Sequence, residues 1–188
     1  MEDKVKKIIV FLSIFVLFVA CSEGKKKKGC IKPVKITSLP EMKMAGVSVH
    51  ITKNNMKLIP QAWGKFMGMS KQLKNVVEPK KMWGISYNYK LTKPVYEFDH
   101  MPCYQVSSFD NLPAGFDKYT VPAQKYAVFV HKGSVKTIKN TYTKINKWLK
   151  KSKYTMGGIC ELELYGPDFK MGSPDSKIYI YHSIKEKK

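Results

Sequence analysis

The chain has 188 residues, with 34 basic and 14 acidic side chains, a net charge of +20 and 44% hydrophobic residues. That apolar content is enough for one ordinary domain and excludes a disordered tail. Every basic residue is lysine. Because proteins that read DNA bases rely on the bidentate arginine fork, no nucleic-acid partner is expected.

The N-terminus has the layout of a bacterial export signal. Three lysines precede the apolar run 8–20, which is shorter than the roughly 20 residues that a membrane-spanning helix needs. The segment Leu17-Phe18-Val19-Ala20-Cys21 resembles a lipobox, whose cysteine is lipidated and becomes the mature N-terminus. An uncleaved anchor with a buried cysteine is the alternative. We therefore predict a lipoprotein signal peptide over residues 1–20 and a protein anchored by lipid to a membrane of the cell envelope.

Residues 21–36 are predicted to form a lysine-rich tether that contains the run Lys25 to Lys28. Next to a lipid anchor, each of these lysines would contribute on the order of 1 kcal/mol to contact with anionic headgroups. A solvated spacer is the alternative. Removal of residues 1–20 takes away three lysines and two acidic residues, which leaves 31 basic and 12 acidic residues and a net charge of +19. The charge therefore belongs to the exported part.

Residues 37–188 are predicted to form one domain of alternating strands and helices. The predicted strands cover residues 44–51, 82–89, 98–106, 126–131, 159–165 and 178–184. One helical stripe runs from Ile59 to Leu73, with Pro60 in its first turn. A second runs from Val135 to Leu149, with Ser134 as its N-cap.

The two halves of this domain form an internal repeat. Ala45-Gly-Val-Ser-Val-His50 falls on Tyr126-Ala-Val-Phe-Val-His131, and Gly84 to Tyr89 falls on Gly158 to Glu163, so that Tyr89 is the counterpart of Glu163. The repeat predicts an α+β fold made of two tandem βαββ units with pseudo-two-fold symmetry. Its antiparallel sheets would carry helices on one face and enclose a central cleft.

The strand 159–165 carries the acidic residues of interest. Its even-numbered residues from Cys160 to Leu164 are apolar and are predicted to pack on the helices, which leaves Glu161, Glu163 and Tyr165 on the other face. A carboxylate beside aromatic rings would hold a lipophilic cation. From alternation alone, the alternative that these glutamates face water and pair with lysines is favoured.

Five segments in this order resemble the GyrI-like effector-binding domain. They are residues Gly84 to Tyr89, Tyr96 to Val106, Val121 to Gly133, Ile145 to Leu149 and Leu162 to Tyr165. This ligand-binding module occurs at the C-termini of AraC-type and MerR-type regulators and also alone, including in integron-associated proteins. The resemblance spans about residues 40–185. A signal segment and tether stand where regulators carry a helix-turn-helix, so the resemblance does not imply transcription regulation.

The resemblance implies a duplicated βαββ fold whose cleft is lined by aromatic residues and holds an acidic side chain that meets cationic, lipophilic ligands. That acid corresponds to Glu163. The further candidates for ligand binding are Tyr165, Trp83, Tyr87, Tyr89, Tyr104 and Phe129. Trp63, Tyr142 and Trp148 recur at helical spacing and are predicted to pack in the core.

A binding protein for an amphipathic, possibly cationic, small molecule is the leading hypothesis, and two alternatives stay open. Some GyrI-like members are hydrolases, which implies Glu163 as base with Tyr89 or Tyr165 as proton donor. A lysine-rich envelope protein that binds anionic lipid or polymer is the other alternative. The four histidines are dispersed and no phosphate-binding loop or zinc spacing is present in the sequence, so neither a metal nor a cofactor is expected.

Overall fold

The computed structural model describes residues 31–90, 97–158 and 160–188. The predicted signal peptide, Cys21 and the run Lys25–Lys28 lie outside the described residues. Within them, no helix is both long enough and apolar enough to cross a membrane.

The described residues form ten strands and two α-helices. The strands are β1 (Lys35–Leu39), β2 (Met42–Gly46), β3 (Val49–Ile51), β4 (Met82–Lys90), β5 (Glu97–Val106), β6 (Asp117–Val121), β7 (Gln124–Lys132), β8 (Tyr154–Met156), β9 (Cys160–Tyr165) and β10 (Lys177–Glu186). The helices are α1 (Leu58–Met69) and α2 (Ile138–Lys151), and short 3₁₀ turns cover Ser70–Gln72 and Val135–Thr137. Strands β1, β6 and β8 are additions to the predicted set, and β1 begins two residues before the predicted start of the domain.

Both helices form because their apolar residues recur at helical spacing and are buried against the sheet. In α1 the buried residues are Ala62 and Phe66, and Pro60 stands in the first turn, where its missing amide proton costs nothing. In α2 the buried residues are Thr141 and Ile145. Each helix therefore turns one stripe toward the sheet.

The strands form one antiparallel sheet in the order β1-β7-β10-β9-β4-β5-β2-β6, with β3 also paired to β5 and β8 to β10. Strand β4 follows α1, and strand β9 follows α2 after the short strand β8. Strands β4 and β9 pair at the centre of the sheet. The two βαββ units therefore join edge to edge, and the predicted α+β fold of two such units is confirmed.

The sheet curls and covers its second face with its own side chains. Met44 of β2 and Val128 of β7 stand far apart in strand order but belong to the same buried cluster. Cys160, Leu162 and Leu164 also lie in this cluster, which contains no residue of either helix. The prediction that these even-numbered residues pack on the helices is therefore wrong. Glu161, Glu163 and Tyr165 face the helices instead.

An irregularity in β4 changes the side to which its last residues point. Its pairing with β5 shifts register between Tyr87 and Lys90, and Asn88 there has a φ of 54°, which is the mark of a bulge. Tyr87 lies in the curled interior. Tyr89 stacks on Phe98, with ring centroids 5.6 Å apart, and so reaches the helix side.

Candidate functional site

Glu163 lies at the centre of the sheet, on the side that carries the helices. It is half-buried, and its cross-strand partner is Gly84 of β4. A Cβ atom on Gly84 would lie 3.2 Å from Cζ2 of Trp63 and 3.6 Å from Cε2 of Tyr165. The missing side chain at Gly84 thus lets these two rings come close to the sheet beside the carboxylate.

Two tyrosines bind the carboxylate directly. The Tyr142 hydroxyl of α2 donates to Oε1 of Glu163 at 2.6 Å, and the Tyr165 hydroxyl of β9 donates to Oε2 at 2.6 Å. The Tyr165 ring in turn meets Trp63 of α1 and Phe169, with ring centroids 4.7 and 4.9 Å away. Both helices and the central strand therefore contribute to an aromatic frame around one carboxylate.

Burial raises the pKa of Glu163 above its ordinary value, while the hydrogen bonds from Tyr142 and Tyr165 and the nearby His131 oppose that shift. Burial and the Glu163 charge together hold the pKa values of Tyr142 and Tyr165 well above 10.0. Both hydroxyls therefore stay protonated and remain donors. A carboxylate that loses hydration in this way is stabilised by a positively charged partner.

Removal of either hydroxyl is expected to raise the pKa of Glu163 further, because each hydrogen bond favours the charged carboxylate. The variants Tyr142→Phe and Tyr165→Phe keep the rings and lose only the donors. The measurement is a ¹³C NMR titration of the Glu163 carboxyl carbon. Tyr154→Phe, which changes a ring that packs on Trp148, is the matched control, and an unchanged or lowered pKa in the first two variants would contradict the assignment.

A row of polar side chains crosses four strands next to Glu163. His182 of β10 meets Glu161 of β9, with Nδ1 and Oε2 2.6 Å apart, and Ser86 of β4 meets His100 of β5, with Oγ and Nδ1 3.0 Å apart. Glu161 also accepts from the backbone N–H of Ser183 at 3.2 Å. Glu161 is only 5% exposed, so it belongs to a buried pair and faces neither water nor a lysine.

The structure separates the other predicted ligand-binding residues into three groups. Trp83 packs on Tyr181 and Tyr87 stacks on Tyr119, both on the curled side away from Glu163. Tyr104 packs on Phe66 of α1, and Phe129 packs on Trp148 of α2, where they support the helices. Tyr89 lies on the Glu163 side, and its charge interaction contributes to the raised pKa of Tyr142.

Sequence reasoning assigned Tyr142 and Trp63 to the core, and the structure places both at the site. Tyr142 reaches Glu163, and Trp63 covers Gly84 and Tyr165. A usable signal was present for Tyr142, because a tyrosine in an inward-facing helical stripe needs a hydrogen-bond partner for its hydroxyl. Helical spacing gives no such signal for Trp63.

An open groove in the described part of the chain lies away from Glu163. It has a volume of about 800 Å³, lies beside β6 and is lined in part by Ser48, Tyr87, Phe109 and Asp117. Its carboxylate, on Asp117, is exposed. No group of three or more histidine, cysteine, aspartate or glutamate side chains that could hold a metal occurs among the described residues. Glu163 is the candidate site because this half-buried carboxylate has two converging donors.

The fold and the site together define a small-molecule effector-binding domain. Residues 35–184 match the family of integron-associated effector-binding proteins, Cass2, and the chain belongs to that family. Its sequence is 28% identical over 129 residues to the transcriptional regulator BrlR of Pseudomonas aeruginosa, a match that covers 67% of this chain and 46% of the regulator. The chain thus spans about half the length of this curated relative.

Solved structures show the same fold. SAV2435 bound to tetraphenylphosphonium is similar with a TM-score of 0.65 and 17% identity, over 80% of this chain and 93% of that one. The integron cassette protein VCH_CASS2 of Vibrio cholerae is similar with a TM-score of 0.62 and 17% identity, over 82% and 97% of the two chains. These likenesses confirm the GyrI-like fold.

Proposed function

We propose that this chain binds lipophilic organic cations between α1 and α2, with Glu163 as the counter-charge. The observation that carries the proposal is the half-buried carboxylate held between the Tyr142 and Tyr165 hydroxyls in an aromatic frame. Each aromatic face would add roughly 0.5 to 2 kcal/mol to the binding of a cation. The SAV2435 structure, of the same fold, holds tetraphenylphosphonium, a ligand of this chemical class.

The burial of Glu163 favours a cation whose charge is shielded by apolar groups. A lysine ammonium or a metal ion would have to give up a strongly bound hydration shell, whereas a phosphonium or quaternary ammonium centre has little to lose. The lysine-rich surface repels cations at long range, but salt screens that repulsion beyond about 8 Å. Inside the site, the Glu163 carboxylate therefore determines that the preferred ligand is positively charged.

The proposal is tested by titration calorimetry with two ions of the same shape and opposite charge, tetraphenylphosphonium and tetraphenylborate. We expect one phosphonium ion to bind per chain. Any binding of the borate is expected to be the same in the unmodified protein and in Glu163→Gln. Triphenylphosphine oxide, which is neutral, measures the contribution of the aromatic frame alone. Absence of phosphonium binding, or equal binding of the neutral compound, would reject the proposal.

Hydrolysis is the alternative use of the same site, with Glu163 as base and Tyr165 as proton donor at 2.6 Å. The raised pKa of Tyr165 makes this phenol a weaker acid than an ordinary tyrosine, which favours binding over proton transfer. We therefore expect no turnover of epoxides or activated esters. Turnover that is lost in Glu163→Gln would establish the alternative.

The site is proposed to work at the cell envelope, attached by a lipid on Cys21. This part of the proposal depends on the lipobox-like segment and on the tether lysines Lys25–Lys28. Mass spectrometry of the protein from a bacterial host would find Cys21 diacylated and residues 1–20 removed. An unmodified Cys21 with residues 1–20 still attached would favour the uncleaved anchor.

A second candidate function follows from the outer face of α2. This helix carries five exposed lysines and no acidic residue, whereas α1 carries one lysine. Lys144, Lys147 and Lys151 follow each other at spacings of three and four residues, so that their like charges are neighbours on one face of the helix. Such pairs destabilise an isolated helix. A surface that opposes the stability of its own helix fits a polyanionic partner, and an anionic lipid membrane is the partner that the proposed anchor would supply.

Vesicle cosedimentation separates the helix from the tether. The test protein is the mature chain, residues 21–188, with Cys21→Ala and with Lys25–Lys28 changed to glutamine. We expect it to bind vesicles containing phosphatidylglycerol and to lose binding when the five α2 lysines are also changed to glutamine. Five glutamines at Lys53, Lys57, Lys71, Lys74 and Lys80 are the matched control. Equal loss in both sets would assign the effect to net charge alone.

A further inference from the structure

His100 has a buried ring nitrogen that the described structure leaves without a partner. The residue lies on β5 and is 4% exposed. Its Nδ1 lies 3.0 Å from the Ser86 hydroxyl, and its Nε2 is buried with no hydrogen-bond partner among the described residues. An unpartnered buried polar atom costs free energy, so its presence calls for an explanation.

The edge of this ring lies beside the ligand site. A Cβ atom on Gly84 would lie 3.3 Å from Cε1 of His100, the ring carbon that is bonded to Nε2, and at nearly the same distance from Trp63. Gly84 is also the cross-strand partner of Glu163. Strands β9 and β5, which carry Glu163 and His100, are two strand spacings apart, about 10 Å. His100 pairs with Ser86, two residues along β4 from Gly84. The spot above Gly84 therefore lies between the carboxylate and the histidine.

The covering over this spot consists of side chains. The Trp63 indole and the Tyr165 ring lie over Gly84, and Trp63 is half-buried on α1. A rotation of the indole would uncover Gly84. A ligand whose charge sits at Glu163 and whose body extends across Gly84 would then pass Cε1 of His100, the ring carbon next to Nε2.

The histidine can meet such a ligand in its neutral form. Burial lowers the pKa of His100 to about 4, so the ring is uncharged at neutral pH and does not repel a cation. Nδ1 already pairs with the Ser86 hydroxyl. Nε2 can therefore donate or accept one hydrogen bond, according to the tautomer of the ring. Nε2 can therefore form one hydrogen bond with a neutral group of the ligand.

We infer that His100 Nε2 is a second recognition point of the cleft, which selects lipophilic cations that carry a neutral hydrogen-bonding group, such as a hydroxyl or an amide, at the end away from the charge. This inference rests on the proposed function, in which Glu163 binds the charged end. It adds a polar specificity to a site otherwise made of aromatic rings. A site that hydrogen-bonds one substituent discriminates strongly against the analogue that lacks it, because the buried nitrogen is then left unpaired.

The test compares two phosphonium ions of nearly equal shape. Triphenylphosphonium carrying a 4-hydroxymethylphenyl group has the hydrogen-bonding substituent, and the same ion with a 4-ethylphenyl group lacks it. We expect the whole protein to bind the hydroxymethyl ion about tenfold more tightly, which is the effect of one hydrogen bond in a buried site. The ¹⁵N chemical shift of His100 Nε2 is expected to move with the hydroxymethyl ion and to stay in place with the ethyl ion.

Variants assign the preference to this ring. His100→Phe is expected to abolish the preference and to retain affinity for tetraphenylphosphonium, while His100→Gln, which keeps a polar group, retains part of the preference. The control is His50→Phe, because His50 is exposed and pairs with Asp99 away from the cleft. Equal affinity of the two ions for the unmodified protein, with tetraphenylphosphonium still bound, would overturn the inference and leave the proposed function standing. Failure of every phosphonium to bind would overturn both.

Discussion

Replacement of Glu163 by glutamine is expected to weaken tetraphenylphosphonium binding about 100-fold, measured by titration calorimetry at pH 7. Glutamine keeps the size of the side chain and removes the charge that the cation must meet. Loss of one partner of a buried charge pair typically costs 2–5 kcal/mol, and a 100-fold loss in affinity lies within that range. Affinity for triphenylphosphine oxide should be unchanged, because the aromatic frame remains.

The pH dependence of binding provides an independent check on the same carboxylate. Because burial raises the pKa of Glu163, protonation removes the counter-charge at a higher pH than for an ordinary glutamate. Affinity for the phosphonium is therefore full well above the raised pKa and falls as the pH is lowered through it. In Glu163→Gln this fall should disappear, whereas Glu186→Gln, which changes an exposed partner of Lys125 and Lys153, should retain it.

Stability distinguishes lost binding from lost folding. A carboxyl group whose pKa is higher in the folded than in the unfolded state makes the folded protein hold its proton more tightly. The free energy of unfolding then decreases as the pH rises from the ordinary glutamate value through the raised one. Glu163→Gln is therefore expected to be at least as stable as the unmodified protein at neutral pH. A variant that binds weakly because it is unfolded would contradict the assigned role.

The order of the two helices and of the long strands was predictable because hydrophobic spacing indicates it. The stripes that end at Leu73 and Leu149 identify both helices, and the repeat identifies the two βαββ units. The short strands β1 and β6 carry weak patterns of their own, and their pairing with β7 and β2 depends on the completed sheet. Local spacing therefore specifies the units, and tertiary contact adds the edges.

The two faces of the sheet could not be assigned in the same way. An apolar face normally packs on helices, and on that basis the even-numbered residues of β9 were expected there. The curled sheet provides a second buried interior for Leu162 and Leu164, so the helices cover the face that carries Glu163. Alternation identifies which residues share a face, but it does not identify what covers that face.

The predicted ligand-binding residues of β4 show the same limit. Trp83 and Tyr87 share the parity that places them in the curled interior, while the bulge at Asn88 brings Tyr89 to the opposite side. Glu163 itself was identified through the family resemblance. Tyr142 was missed because a tyrosine that donates to a carboxylate and a tyrosine that fills a core follow the same helical period.

The buried pair of Glu161 and His182 is expected to contribute strongly to stability. In His182→Leu the carboxyl group of Glu161, 5% exposed, loses the partner whose Nδ1 lies 2.6 Å away and keeps the Ser183 N–H. Removal of one partner from a buried pair costs about 3 kcal/mol or more. Urea unfolding at pH 7 measures the loss. The exposed control His50→Leu should change the free energy of unfolding by less than about 0.5 kcal/mol.

A double-mutant cycle shows whether the two side chains act as a pair. Glu161→Gln combined with His182→Leu removes the buried charge together with its partner, so the double variant should lose less stability than the sum of the two single losses. Glu161 and Glu163 lie on the same face of β9. The Glu161–His182 pair therefore holds in place the strand that carries the Glu163 carboxylate. We therefore expect His182→Leu to weaken phosphonium binding as well, through Glu163. Additive stability losses would show that Glu161 and His182 do not act as a pair. Tight phosphonium binding in a destabilised His182→Leu would show that the two glutamates of β9 act independently.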